Sequence, residues 1–274
     1  MATSDALVFS AGFVVNKPDP AHFTFRVIKN ILQKIMLDTE ADDYKIYLGS
    51  SDKSNFRYKV DIEYKANRKD SKRPEYEKEI REYLFEHHKA IEVLGMETDD
   101  ALGIEQCCLD DTIICSNDKD LDMIPGWHYD LDFGKTRRRK DGTSYRLKAY
   151  KNKALYFITD PGFLSLRTNT ENGKKVLCGG GYLWFCAQLL LGDSVDNVKK
   201  LNKGYGPDKV YGILKDCKTE KEALQQVWKE YCHVFSTKNL TVDEARAKLM
   251  EVAQLLWIRR KKKDDVIFNR SWLC

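Results

Sequence analysis

The hydrophobic and polar positions of this chain alternate between two periods. Residues 6–15 (ALVFSAGFVV) are an apolar run that fits either a buried strand or the start of a helix, and Pro18 and Pro20 break the chain after it. Over residues 21–36 the spacing of Phe23, Phe25, Val27, Ile28, Ile31, Leu32 and Ile35 predicts an amphipathic helix. Residues 44–48 (YKIYL) read as a strand, followed by a loop at Gly49, Ser50, Ser51 and Asp52. Residues 74–92 read as a highly charged helix with an apolar stripe at Tyr83, Leu84 and Ile91. Residues 98–109 read as a further helix, with Asp99 and Asp100 in its first turn, where the helix dipole favours acids. Residues 112–115 (TIIC) have strand length, and Ser116, Asn117 and Asp118 end them. Alternating strands and helices predict an α/β fold with a mainly parallel central sheet flanked by helices.

The pattern then changes. Residues 134–180 carry turn signals (Asp141-Gly142, Pro161-Gly162, Asn172-Gly173) and strand-like pieces such as 154–158, and read as hairpins or an extended loop region. From Tyr182 to about Arg260 the chain reads as mostly helical. There is no internal repeat and no low-complexity tract.

Charge sharpens this picture. The 274 residues are 32% charged and 42% hydrophobic, which suits a soluble globular protein with a sizeable core. The net charge of +4 comes from 46 basic and 42 acidic side chains, so the total alone does not point to nucleic acid. Its distribution does more. Basic runs stand at 65–72 (KANRKDSK), 135–140 (KTRRRK) and 259–263 (RRKKK), and acids gather at 97–100, 118–122 and 193–196. Separated basic runs and acidic clusters suit a protein that attracts phosphates and also holds metal, although any one basic run equally fits a solvated surface.

Eight cysteines occur without a CxxC pair, which argues against a zinc site. No signal peptide precedes them, so reduced thiols in the cytoplasm are expected. Residues 6–15 are too short to span a membrane. The cysteines, Trp127, Trp184 and Trp257 read as core or interface packing, and His87 and His88 as solvent-exposed. No Ser/His/Asp or Cys/His nucleophile arrangement stands out.

Three segments carry the candidate chemistry. They are Glu97-Thr-Asp99-Asp100, Ser116-Asn-Asp118-Lys119-Asp120-Leu121, and Gly192-Asp193-Ser-Val-Asp196-Asn197. Mg²⁺ and Mn²⁺ prefer carboxylate oxygen, and two such ions roughly 3.5–4 Å apart can activate water and stabilise a leaving oxygen. Carboxylates gathered without a cation repel one another, so converging segments imply a metal counter-charge. Each segment alone also fits ordinary helix capping or turn chemistry.

These segments resemble those of the 5′→3′ exonuclease and flap endonuclease family, especially its phage-encoded members. The resemblance spans about Asp5 to Ile213. Glu97-Thr-Asp99-Asp100 resembles its Glu-x-Asp-Asp motif, residues 116–121 its Ser-x-Asp-Lys-Asp motif, and residues 192–197 its Gly-Asp-x-x-Asp-Asn motif. Tyr64-Lys65-Ala66-Asn67-Arg68 resembles the Tyr-Lys-x-x-Arg segment at the base of a helical arch that threads a single-stranded 5′ end. Asp52 matches a further acidic position, and residues 201–209 (LNKGYGPDK) resemble a helix–turn–helix used on duplex DNA.

The resemblance implies a PIN-like or resolvase-like fold with a helical arch and a C-terminal helical DNA-binding subdomain. Residues 1–181 would form the nuclease domain, with the arch at about 64–92 and the hairpin or loop region at 134–180. Residues 182–274 would form the helical subdomain, with the helix–turn–helix at about 192–215. It implies a metal-dependent 5′→3′ exonuclease with 5′-flap endonuclease activity on DNA, working through two Mg²⁺ or Mn²⁺ ions. Asp52, Glu97, Asp99, Asp100, Asp118 and Asp120 would hold or support metal, with Asp193 and Asp196 completing a second ion site. Lys65 and Arg68 would contact the scissile phosphate, and Tyr64 would stack on the terminal base. Lys203, Gly204, Gly206 and Lys209 would meet duplex phosphates, with K⁺ bound through carbonyls nearby, and Arg137, Arg138 and Arg139 would track a strand. The expected partners are DNA with a free 5′ end or flap and RNA–DNA hybrid. No membrane partner is expected, and the chain is expected to be a monomer in the cytoplasm of a phage-infected bacterium.

One departure stands out. The family's first strand ends in an aspartate that helps hold metal. Here Thr3 falls at that place, Asp5 matches a second aspartate, and Ser10 replaces an arginine. Three readings stay open: a late start of the chain, Asp5 as a substitute ligand, or a catalytically impaired, structure-selective DNA-binding protein; Asp5 is kept among the expected metal ligands. A phosphatase acting on small phosphomonoesters is a weaker reading, because it leaves the basic runs unexplained.

Overall fold

The computed structural model describes residues 1–50, 54–68, 71–132, 136–138, 144–146, 153–168 and 173–264. Two compact units emerge. The first comprises Met1–Asp52, Lys72–Leu121 and Gly126–Phe157, and the second Lys53–Ser71, Asp122–Pro125 and Ile158–Cys274.

The first unit is a mixed α/β layer structure around a mostly parallel sheet. Its elements are β1 (Ala2–Thr3), α1 (Ala6–Gly12), α2 (His22–Thr39), β2 (Lys45–Gly49), α4 (Glu77–His88), β3 (Ile91–Val93), α5 (Thr98–Cys108), β4 (Ile113–Ser116) and β5 (Gly126–Asp130); α3 belongs to the second unit. The sheet order is β3-β2-β1-β4-β5-β8, where β8 is Leu155–Ile158. Strands β1 to β5 pair in parallel, with Thr3 opposite both Ile46 and Cys115. The chain steps from β1 outward to β2 and β3, then returns to β4 and β5 on the other side of β1. Such a reversal leaves a crevice at the carboxyl ends of the central strands, where open α/β sheets build their sites.

Physical causes for these elements are local where the pattern is strong. Helix α2 buries Thr24, Ile28, Leu32 and Ile35 on one face and ends at Glu40 in the left-handed conformation (φ 53°). Together with Leu7, Val8 and Ala11 of α1, Ile46 and Leu48 of β2, and Ile80 and Leu84 of α4, it builds a core of this unit. Each fully buried Leu or Ile contributes roughly 1.5–3 kcal/mol.

Several expectations change. The run 6–15 resolves as helix α1, and it stops at Gly12, where an added Cβ would stand 2.5 Å from the Pro74 side chain. The charged helix expected over 74–92 ends at His88. Lys89 turns left-handed (φ 51°), the Ala90 N–H bonds Leu84 O at 3.1 Å, and Ile91–Val93 pair with Tyr47–Gly49 as β3. Pairing with β2 outweighs the helical spacing there. The strand near 154–158 does not fold into a separate hairpin; as β8 it extends the main sheet beside β5. His88 is half-buried rather than exposed, bonded by Tyr44 Oη at 2.8 Å and Tyr83 Oη at 3.1 Å. Burial first, then Lys29 and His87, lowers its pKa. Trp127 is 45% exposed against Phe157 and so is not a core residue, whereas Trp184 is buried. The strands β6 (Thr136–Arg138) and β7 (Ser144–Arg146) pair antiparallel.

In the second unit a hairpin of β9 (Phe163–Thr168) and β10 (Lys175–Gly180) leads into α6 (Gly181–Leu191). Residues Tyr182–Leu190 of α6 are buried all round, as expected of a helix without a polar face. It packs against α7 (Pro207–Leu214), α8 (Glu220–Ser236), α9 (Val242–Leu256) and the hairpin. Thr219 caps α8, and Thr241 with Glu244 forms a capping box on α9. Arg57, in the short helix α3 (Arg57–Val60), is 1% exposed and donates to Leu255 O and Trp257 O at the end of α9. It satisfies carbonyls that a helix terminus otherwise leaves open. Among the described residues no helix is long and apolar enough to cross a membrane.

Candidate functional site

Four of the parallel strands deliver acids at their carboxyl ends. Asp5 follows β1, Glu97, Asp99 and Asp100 follow β3 at the head of α5, and Asp118 and Asp120 follow β4. Asp130 closes β5 and Asp132 lies just beyond it. Parallel pairing makes this one edge of one sheet, on the side where the strand order reverses.

Local chemistry fixes each segment. Glu97 is the N-cap of α5, and it and Asp100 form a reciprocal capping box in which Asp100 Oδ2 accepts the Glu97 N–H at 3.0 Å. Asp100 is fully buried, and Asp99 is half-buried. After β4, Ser116 Oγ accepts the Asp118 N–H at 3.0 Å, and Asp118 Oδ1 accepts the Asp120 N–H at 2.9 Å. Lys119 Nζ lies 2.8 Å from Asp120 Oδ1. Asp118 is exposed. Asn117 donates to Asp132 Oδ2 at 3.1 Å, which ties the β4 and β5 ends together. Sequence reasoning passed over Asp130 and Asp132, because GWHYD lacks the alternation that marks a strand; an acid at each end of the short Asp-Leu-Asp run was the available signal.

Thr3 ends β1. It is fully buried, and its hydroxyl donates to Cys115 O at 2.8 Å. Asp5 instead accepts from the Gly49 N–H at 3.0 Å and from Arg81 Nη1 at 2.7 Å.

The acids at this edge match a hard divalent cation in donor type and in their place on the fold. Among the described residues, however, no three His, Cys, Asp or Glu side chains stand close enough to form a ready-made metal cluster. Asp52 and Arg139 lie outside the described residues, and Arg137 and Arg138 are described only as backbone of β6.

The second unit joins the segment 64–68 to the segment 193–197. Asp196 Oδ2 accepts from Tyr64 Oη at 2.8 Å and lies 3.6 Å from Lys65 Nζ, and Asp196 Oδ1 accepts from Arg68 Nη2. One backbone bond joins the segments, Lys65 N–H to Asp196 O at 3.0 Å, and three side chains donate to backbone carbonyls across the junction: Arg68 Nε to Val195 O at 3.2 Å, Asn67 Nδ2 to Ser194 O at 2.8 Å, and Asn197 Nδ2 to Glu63 O at 2.7 Å. Lys65 and Asn197 both adopt positive φ (55° and 61°) to make the junction. Gly192 is obligatory, since its φ is 64° and a Cβ would stand 2.4 Å from Val198 O. Asp193 is buried and accepts the Val195 N–H at 2.7 Å. Tyr64 is 2% exposed, edge-on to Tyr58, so its ring has no free face on which a base could stack, contrary to expectation.

Beyond Asn197 the chain presents Lys203, Gly204 and Gly206 ahead of α7. At Gly204 and Gly206 an added Cβ would meet nothing within 4 Å, and neither glycine needs a left-handed backbone. No internal packing therefore calls for glycine there. Tyr205 between them is buried. Lys209 Nζ lies 3.7 Å from the centre of the Tyr205 ring and 3.7 Å from Glu230 Oε2. Of the basic run 259–263, Arg259 lies over Phe56, and Arg260 pairs with Asp160 and donates to Met123 O. Lys261, Lys262 and Lys263 are exposed.

No family model matches the chain, and no curated protein matches it. Among solved structures it is similar to the phage T5 D15 protein co-crystallised with metal ions, at 17% identity over 92% of this chain and 98% of that one, with a TM-score of 0.45. It is also similar to a complex of the bacteriophage T5 D15 flap endonuclease with DNA and metal ions, at 17% identity over the same shares, with a TM-score of 0.46. A T5 5′-exonuclease variant gives 15% identity, again over 92% and 98%, with a TM-score of 0.47.

Proposed function

We propose that this chain is a divalent-metal-dependent nuclease that hydrolyses DNA phosphodiesters at a free 5′ end or a 5′ flap. One observation carries the reading: acids that follow β3, β4 and β5 share the carboxyl edge of one parallel sheet, beside its reversal of strand order. Glu97, Asp99, Asp100, Asp118 and Asp120 are the residues that would hold Mg²⁺ or Mn²⁺, with Asp130 and Asp132 as further donors. A bound divalent cation would offset negative charge on the phosphate and ease deprotonation of water. Lys65 and Arg68 supply cations for the phosphate, and Asp193 and Asp196 are the donors for a second ion. Residues 182–274 act as the DNA-binding subdomain. RNA–DNA hybrid is a second substrate of the same chemistry.

The experiment is cleavage of a 5′-labelled flap duplex beside a blunt duplex with Mg²⁺, Mn²⁺ or EDTA. Metal-dependent products from the 5′ end are expected, and their lengths separate exonuclease from flap cleavage. A clear mobility shift on the flap with no product in any metal overturns the reading in favour of a DNA-binding protein.

The open glycines give an independent check. Gly204→Ala and Gly206→Ala are expected to leave folding intact, since the new methyl groups meet nothing in the chain. By thinning the unfolded ensemble they stabilise it by a few tenths to about 1 kcal/mol. If phosphate approaches this backbone closely, each loses duplex affinity by about tenfold, the scale of one ordinary contact of about 1.4 kcal/mol. Fluorescence anisotropy with a blunt duplex in EDTA, next to a thermal melt, reads both. Unchanged affinity removes this loop from the DNA contact.

A further inference from the structure

Arg81 projects from α4 to the carboxyl ends of β1 and β2. Its Nη1 donates to Asp5 Oδ1 at 2.7 Å, and its Nη2 donates to Gly49 O. The Gly49 N–H donates to the other Asp5 oxygen at 3.0 Å. Guanidinium, carboxylate and the Gly49 backbone thus close a ring across the ends of two parallel strands. The side chains of Arg81 and Asp5 are only 23% and 25% exposed, so water screens the pair weakly. Gly49 makes room for it: a Cβ there would stand 3.1 Å from Asp5 Oδ2.

Both oxygens of Asp5 therefore face a donor, and one donor carries a charge that no accessible pH removes. A divalent ion seeking Asp5 has to displace Arg81 and then sit beside an unpaired guanidinium. We propose that Arg81 is a built-in counter-cation, which withdraws Asp5 from metal binding and closes a cation site at the end of β1. Coordination is left to the acids beyond β3, β4 and β5. This rests on reading the acidic edge as a metal site. It assigns Arg81 a role that nothing in its charged helix announces, and it decides between the alternatives for the first-strand acid: Asp5 is a strut, not a substitute ligand.

The test is Mn²⁺ binding, by calorimetry and by electron paramagnetic resonance, on the full chain and on Asp5→Asn, Arg81→Met, Arg81→Lys and the Asp5→Asn/Arg81→Met double variant. Asp5→Asn is expected to leave wild-type Mn²⁺ affinity and stoichiometry unchanged. Arg81→Met is expected to gain an ion or tighten binding about tenfold, the lower end of what a residue that holds a metal-ligating side chain is worth. The double variant loses that gain. Arg81→Lys keeps the charge and is expected to bind as the wild type does, even where it loosens the ring. Thermal melts establish that each variant is folded. Weaker Mn²⁺ binding by Asp5→Asn alone overturns the proposal while supporting the metal reading of the edge. A wild type that binds no Mn²⁺ overturns the metal reading of the edge, and with it the proposal that rests on it. No gain in Arg81→Met overturns the proposal.

Discussion

Asp118→Asn combined with Asp120→Asn is expected to lower metal-dependent cleavage on the order of 10³-fold, because a metal supplies several kcal/mol of charge stabilisation and each 1.4 kcal/mol is tenfold. The turn that holds these residues should survive. Asp118 accepts the Asp120 N–H through Oδ1, and an asparagine oxygen can accept the same bond. Asp118 is exposed, so its replacement leaves no buried group unpaired. Only the charge disappears, and with it the affinity for a hard cation. Lys119 also loses its partner in Asp120, at an exposed position where such a pair is worth at most about 1 kcal/mol. The measurement is kcat on the labelled flap substrate together with a thermal melt. Unchanged cleavage in a folded double variant would show that the acids beyond β4 are not the catalytic edge.

What could be read from the sequence follows the range of the forces involved. Helix α2 was legible because one apolar face and its period lie within the segment itself. Strand β4 and helix α5 were legible because an apolar run, a turn and a capping pair adjoin one another. Strands β1 and β3 were not. Two or three residues carry no period, and they are strands only because Thr3 and Ile91 find partners far along the chain. The same distinction holds at the site. The acidic motifs announce themselves as short words, so their position at strand ends was foreseeable. What those acids touch was not: the partner of Asp5 stands on α4, and the partners of Asp196 lie in a segment more than a hundred residues earlier. A lone arginine in a charged helix looks like a solvated side chain until the fold supplies a carboxylate. Tyr64 was misjudged for a related reason, since burial belongs to the tertiary structure and not to the motif.

Asp196→Asn is expected to tighten binding of single-stranded DNA in EDTA while it lowers cleavage. In the structure one carboxylate gathers Tyr64 Oη, Arg68 Nη2 and Lys65 Nζ, so both cations assigned to the phosphate are held against a carboxylate of the chain itself. A phosphate that binds Lys65 and Arg68 must compete with Asp196 for them. A cation that binds Asp196 releases them, so metal and phosphate assist one another through the two ion pairs that share this carboxylate. Asparagine mimics the release without metal. It keeps an oxygen for Tyr64 and gives up the charge. Two additional phosphate contacts steepen the slope of log affinity against log salt by about 1.4, which near 0.1 M salt amounts to about 25-fold in affinity. A salt titration of anisotropy with an unstructured oligonucleotide, wild type against Asp196→Asn, reads both quantities in metal-free buffer. The Lys65 N–H bond to Asp196 O and the side-chain bonds from Asn67 to Ser194 O and from Asn197 to Glu63 O do not involve the carboxylate and should keep the two segments docked. Weaker binding with an unchanged slope would mean that Asp196 orients Lys65 and Arg68 toward the phosphate instead of restraining them, and that the acid and its cations act as one preformed unit.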